Sequence, residues 1–150
     1  MVNSRKIVPP VYFFLAIIVM VLLHCFFPLY SLLKPPASYI GVVPLVAGVA
    51  IAVWSANLFK KAETPIKPFE QSTILVRTGM YRVTRNPMYL GMVLALLGIA
   101  LLLGSLSPFL LIPLFAWFIH SQFIVHEEVM LETLFGEEYL HFKATVRRWL

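Results

Sequence analysis

Residues 86–125, NPMYLGMVLALLGIALLLGSLSPFLLIPLFAWFIHSQFIV, run for 40 positions without an Asp, Glu, Lys or Arg. About 20 apolar residues suffice to cross the hydrocarbon core of a bilayer, so this stretch is long enough for two crossings. The break falls at Gly104-Ser105-Leu106-Ser107-Pro108, an uncharged turn. Spans over 87–103 and 109–125 therefore form a helical hairpin, and the start of the first lies beside the end of the second.

Outward from this hairpin the pattern repeats. No Asp, Glu, Lys or Arg occurs between Ile7 and Leu33 or between Pro35 and Phe59. These blocks predict spans over 8–29 and 39–59. Pro9 and Pro10 suit a helix start, where the missing N–H has no partner to lose. Gly41, Ala47, Gly48 and Ala52 in the second span let a neighbouring helix approach closely. Arg5 and Lys6 before an apolar run resemble a signal peptide. No small-residue cleavage site follows, however, and the run is long, so the segment is expected to stay as the first span.

Of 150 residues, 60% are hydrophobic and 13% charged, too apolar for a soluble domain of this size. The net charge of +5 sits in the flanks of the spans, where Lys and Arg set orientation, and calls for no nucleic acid. Residues 60–86 form a surface loop with six of the twelve Lys and Arg residues. A tail over 126–150 mixes charges with apolar residues and predicts one or two amphipathic helices, interrupted near Gly136. The fold expected is all-α: one membrane bundle of about four transmembrane helices with an amphipathic tail. Placing the loop and tail on one side puts both termini in the cytoplasm, with a bacterial inner membrane favoured. Cys25, the one cysteine, reads as a small buried apolar residue. With no Asp and no Cys–His cluster, no metal site is expected.

The chemistry is concentrated at one end of the hairpin. Residues 79–91, GMYRVTRNPMYLG, lead into the third span, and His126-Glu127-Glu128 follow the fourth. The hairpin brings Arg85 and Asn86 near the two glutamates. A helix N-terminus favours a carboxylate. Glu127 or Glu128 suits an ammonium or a ribose, and Tyr81 or Tyr89 a cation or an adenine. Each residue also has a structural reading. Arg82 and Arg85 serve equally as positive-inside anchors, Tyr89 as an interfacial aromatic, and the glutamates as a solvated helix face. His24 reads as structural. His120 suits either an acceptor channel or a helix–helix hydrogen bond. Arg147, Arg148 and Trp149 read as headgroup anchors.

The order Gly-x-Tyr-Arg-x-x-Arg-Asn-Pro-x-Tyr-x-Gly over 79–91, then Glu127-Glu128, then Gly136-Glu137-Glu138-Tyr139 resembles the isoprenylcysteine carboxyl methyltransferase and phospholipid methyltransferase superfamily. The resemblance covers residues 62–150. It implies a membrane methyltransferase using S-adenosylmethionine on a lipid-like or small hydrophobic acceptor, with isoprenylcysteine-type carboxylate O-methylation first and phospholipid N-methylation next. It implies Arg85, Tyr89 and Glu128 as catalytic residues. The cofactor would meet Tyr81, Asn86, Pro87, Tyr89, Gly91, His126, Glu127 and Glu128. The family commonly has Arg-His-Pro where this chain has Arg-Asn-Pro. Asn86 exchanges hydrogen bonds but does not titrate, which removes it as a base. A carboxylate acceptor needs no base; for an amine or thiol, Glu128, His126 and Tyr89 are the candidates. The competing readings are a non-enzymatic membrane scaffold and an NADPH-dependent enzyme like the sterol reductases. The partners expected are the bilayer and the acceptor.

Overall fold

The computed structural model describes residues 8–67 and 70–150. Four apolar helices form the bundle. They are α1 (Pro9–Phe26), α2 (Val42–Lys61), α3 (Pro87–Leu103) and α4 (Leu106–Ile119). A five-residue π turn (His120–Ile124) joins α4 directly to α5 (Val125–Phe135), and α6 (Glu137–Thr145) comes next. Among the described residues the β structure is one isolated bridge, between Ser31 and Ser105. The chain is an all-helical integral membrane protein. Three helical stretches, Pro9–Phe26, Ala37–Lys61 and Leu106–Phe135, are long and apolar enough to cross a bilayer, and α3 is a shorter apolar helix of 17 residues.

α3 is the centre of the bundle, touching α1, α2 and α4. Its contact with α2 is made backbone to backbone. A Cβ placed on Gly91 would sit 2.5 Å from the Gly48 carbonyl oxygen and 2.8 Å from the Ala52 nitrogen, and Gly98 is held against Leu45 and Gly41 in the same way. Without a hydrophobic effect between helices in lipid, such close approach is what holds them together. On its other side α3 packs Leu96 and Ala100 against Met20 of α1 and Phe115 and Ile119 of α4. Tyr12 closes this core with ring contacts to Phe118 at 4.7 Å and Phe123 at 5.8 Å. The outward faces remain apolar: Phe14, Val43 and Trp117 are each more than 60% exposed. Cys25, expected inside, is also exposed on this surface.

The end of the bundle formed by the turn after α3 is sewn by the turn residues. Gly104 adopts φ +77°, which ends α3 and lets its carbonyl accept from the N–H groups of Leu32 and Leu33 at 2.7 and 3.0 Å. His24 shares a 2.7 Å hydrogen bond with Ser105, in keeping with its structural reading.

The helix of the fourth span departs most from expectation. The change in composition near residue 125 predicts a boundary there. Instead the helix runs on as one stretch, Leu106–Phe135, of 30 residues. No Pro or Gly intervenes between Pro113 and Gly136, and polarity alone does not break a helix. The π turn within it has a directional effect. Each residue added to a helical ladder rotates the remainder of the helix by about 100°, and such turns cluster at functional sites. Here it stands immediately before the segment that carries Glu127 and Glu128. Gly136, at φ +51° and ψ −125°, then ends α5 in a conformation open to glycine.

Replacing Gly91 by Leu drives a side chain into the α2 backbone. Overpacking of this kind costs typically about 1–3 kcal/mol, and here rigid backbone rather than a movable side chain opposes it. The variant is expected to melt several degrees below the parent in detergent, with an equal melting temperature counting against the packing described.

Candidate active site

The polar residues meet at the first turn of α3. Pro87 occupies the first helical position and Asn86 precedes it, so α3 begins where the loop turns inward. The short 3₁₀ turn Gly79–Arg82 lies before it, anchored on α2. A Cβ on Gly79 would press on Leu58 at 2.8 Å and on Trp54 at 3.4 Å. Val76, Tyr81, Tyr139 and Phe142 build a second small core beneath the loop, with Phe59 and Leu131 against it. Between these parts is a cleft enclosing about 790 Å³ of empty space, part of it open to solvent. Its apolar wall includes Phe59, Ile74, Met88 and Leu131.

The hairpin places Arg85 beside Glu128: Nη2 lies 3.2 Å from Oε1, with both side chains more than nine-tenths buried. A second guanidinium reaches the same carboxylate. Arg148 donates from Nε to Oε1 at 2.8 Å and from Nη2 to Oε2 at 2.7 Å, a bidentate fork. Two cations thus share one anion. Tyr139 adds its hydroxyl as a weak acceptor from Arg85 Nη1 at 3.5 Å. Burial, and then the Glu128 charge, push the Tyr139 phenol up to about 12. The hydrogen bonds to Glu128 push Arg148 up further from its ordinary value.

The neighbouring carboxylate is treated differently. Glu127 accepts a 2.6 Å hydrogen bond from the Tyr89 hydroxyl and has no cation against it among the described ion pairs. Tyr81 lies close enough that the Glu127 charge, after burial, helps to raise its phenol. Both glutamates line the cleft, as do Tyr81, Arg85, Asn86 and Tyr89. Buried Arg85 Nε has no hydrogen-bond partner among the described residues. An orphaned guanidinium N–H on a residue that lines a cleft is a donor still to be satisfied.

Three residues expected at the ligand do not line this cleft. Gly91 is taken up by the close contact with Gly48, one turn into the bundle. Pro87 is buried as the helix start and does not line the cleft. His126 is exposed and likewise lies off its wall. Conversely, the reading of the tail as a headgroup anchor is overturned for two of its three residues. Arg148 is bound to Glu128, and Trp149 packs against the bundle core. Their partners are distant in sequence, and only the Gly136-Glu137-Glu138-Tyr139 motif hinted that the tail returns to the site. Among the described residues no group of three or more His, Cys, Asp or Glu is placed to hold a metal ion.

The family described as Phospholipid methyltransferase matches residues 37–138, more than half of the chain. The chain belongs to that family. Over 73 residues it is 37% identical to the protein-S-isoprenylcysteine O-methyltransferase of Schizosaccharomyces pombe, covering 49% of this chain and 31% of the yeast protein. A protein of Oryza sativa subsp. indica named "Probable protein-S-isoprenylcysteine O-methyltransferase" is 27% identical over 115 residues, 75% of this chain and 60% of the rice protein. The solved structure of the eukaryotic intramembrane Ras methyltransferase, isoprenylcysteine carboxyl methyltransferase, shares the fold. The TM-score is 0.70 at 23% identity, over 99% of this chain and 54% of that one. The chain therefore spans between 31% and 60% of the length of these relatives. In this member of the phospholipid methyltransferase family, the matched segment 37–138 holds the cleft residues from Phe59 to Leu131, while Tyr139 and Arg148 lie beyond it.

Glu128→Leu strands Arg85 as a buried charge without its counter-ion. Breaking one partner of a buried ion pair costs about 3–5 kcal/mol. The variant should lose more of its apparent melting temperature in detergent than Glu127→Gln, which removes no cation's partner. The opposite order would contradict the division of roles between the two carboxylates.

Proposed function

We propose that this chain is an integral membrane methyltransferase that uses S-adenosylmethionine and acts on a lipid-like or small hydrophobic acceptor. The carrying observation is that Arg85, whose Nε is unpartnered among the described residues, and Glu127, a carboxylate outside the described ion pairs, line one mostly apolar cleft. The residues suit that cofactor on their own chemistry. Arg85 Nε offers an N–H to a carboxylate. Glu127 offers a negative charge to an ammonium or sulfonium, or an acceptor to ribose hydroxyls. Tyr81, Phe59 and Met88 provide the flat and soft surfaces an adenine prefers. When bound, S-adenosylmethionine supplies an electrophilic methyl group.

What the chain contributes is position, exclusion of water and charge. Alignment of donor and nucleophile alone is worth several kcal/mol, up to about 10. The two guanidinium groups fix Glu128, so Arg85 keeps its orientation while its Nε remains available. Tyr89 holds Glu127 by one short hydrogen bond and leaves the second oxygen to a ligand. The apolar wall suits an acceptor with a hydrocarbon body, delivered sideways from the bilayer.

Among acceptors an isoprenylcysteine-type carboxylate is favoured, since the relatives carry that activity in their names. Its methylation releases no proton from the acceptor, and no imidazole of the described residues lines the cleft to take one. Phospholipid amine is the next choice. There the Glu127–Tyr89 pair is the group placed to receive a proton. By the positive-inside rule the basic loop puts the cleft and both termini on the cytoplasmic side, with a bacterial inner membrane favoured.

Calorimetric titration of the detergent-purified protein with S-adenosylhomocysteine is expected to show saturable binding, and titration with NADPH none. Glu127→Gln should weaken that binding about tenfold to a hundredfold, the range for a hydrogen bond to a charged group. Binding of neither compound by folded protein would favour a scaffold, and binding of NADPH alone a reductase.

A further inference from the structure

The last residues of the chain are wired into the α3 entrance by bonds that do not involve the cleft's apolar wall. The Arg85 N–H donates to the Arg147 carbonyl at 2.9 Å. The Arg148 carbonyl accepts twice, from the Thr84 hydroxyl at 3.1 Å and from Asn86 Nδ2 at 3.0 Å. A carbonyl only accepts, so the amide nitrogen of Asn86 is the atom that faces it. Thr84 is fully buried, and its hydroxyl also accepts from the Asn86 N–H at 3.2 Å. Trp149 then seats on the bundle core. Segment 146–150 is thus a strap laid across the loop 84–86. The side chain that leaves it toward the site is Arg148, whose fork grips both oxygens of Glu128. Arg148 does not line the cleft, whereas Glu128 does.

We propose that Arg148 is a positioning residue for Glu128, and that Asn86 and Thr84 serve the site chiefly by docking the strap that presents Arg148. A bidentate guanidinium fixes a carboxylate in rotation as well as in place, which a point charge does not. Glu128 so fixed holds Arg85 in turn, the residue whose Nε is assigned to the ligand under the proposed function. The chain of dependence runs from Asn86 to the strap, from Arg148 to Glu128, and from Glu128 to Arg85. It gives the Asn of Arg-Asn-Pro a task that needs a neutral donor amide and no titration. The proposal rests on the ligand assignment under the proposed function, but part of it is read without any ligand.

The test is a double-mutant cycle on Asn86→Ala and Arg148→Lys. It is read by S-adenosylhomocysteine affinity and by hydrogen exchange at the Arg85 amide, whose acceptor is on the strap. Losing a hydrogen bond to a charged group typically costs about tenfold to a hundredfold in affinity. Each single variant should weaken binding about tenfold. The double variant should also lose about tenfold rather than the hundredfold product, because both act through one path. Exchange at Arg85 should quicken in Asn86→Ala and stay slow in Arg148→Lys, where the strap remains docked but the fork is gone. A merely structural Arg148 would leave affinity unchanged whenever the strap stays docked. Parent affinity in Arg148→Lys, additive losses in the double variant, or unchanged Arg85 exchange in Asn86→Ala would each overturn the proposal. Should the parent bind no S-adenosylhomocysteine, the proposed function falls, and the exchange comparison still decides whether Asn86 holds the strap.

Discussion

One carboxylate ties together three parts of the chain that are remote in sequence. Glu128 stands on α5, Arg85 at the start of α3, and Arg148 on the returning tail. Remove the carboxylate, and two guanidinium groups are left close together, that of Arg85 buried. Remove either arginine, and the other parts lose their common reference. Buried ion pairs are poor sources of net stability, because desolvation cancels much of the attraction. Their value is in geometry, since few arrangements satisfy all partners at once. Here the arrangement that satisfies Glu128 is also the one that closes the cleft around Glu127 and Tyr89.

This cluster works only because the rest of the bundle is built to be indifferent to direction. The helices are apolar on all faces, so hydrophobicity does not choose which side of α3 meets α2 or α4. Shape makes the choice. Gly48 and Gly91 permit one close contact, and Gly41 and Gly98 another, about two turns away along the same helices. Those contacts fix the rotation of α3, and with it the direction in which Tyr89 points. The π turn at His120–Ile124 does the corresponding work on the other arm of the hairpin. A glycine contact and an extra residue in a helix thus set the 2.6 Å bond between Tyr89 and Glu127.

Much of this was legible in the sequence. The 40 uncharged residues and their Gly-Ser turn required a hairpin, and a hairpin required the first turn of α3 to meet the residues after span four. That is a consequence of chain geometry and bilayer thickness. What was not legible depends on direction around a helix or on long-range partners. Gly91 reads as a motif position, yet its missing side chain serves the α2 contact. His126 is adjacent to the glutamates in sequence, but a rotation of about 100° per residue carries it away from the cleft wall. Arg148 at a membrane face reads as a headgroup anchor, because nothing local reveals a carboxylate 20 residues back as its partner. Composition changes at the end of span four, but helices end at breakers and caps, and the next breaker is Gly136.

The two adjacent glutamates show why residue type alone does not assign chemistry. They are chemically identical neighbours, and the hairpin brings both to one cleft. Glu128 is surrounded by permanent cations and is committed to holding the site together. Glu127 meets a neutral phenol and no guanidinium among the described ion pairs, beside apolar surface where electrostatic interactions are less screened. A cationic or hydroxyl-bearing ligand would gain little by competing with two arginines for Glu128, and much by meeting Glu127. The site therefore divides labour by environment: one carboxylate builds the frame, and on the proposed function the other meets the ligand. The division also explains why the frame needs the tail. Arg85 alone would have to serve both Glu128 and a ligand, and the second arginine, brought back on the strap, frees it to do so.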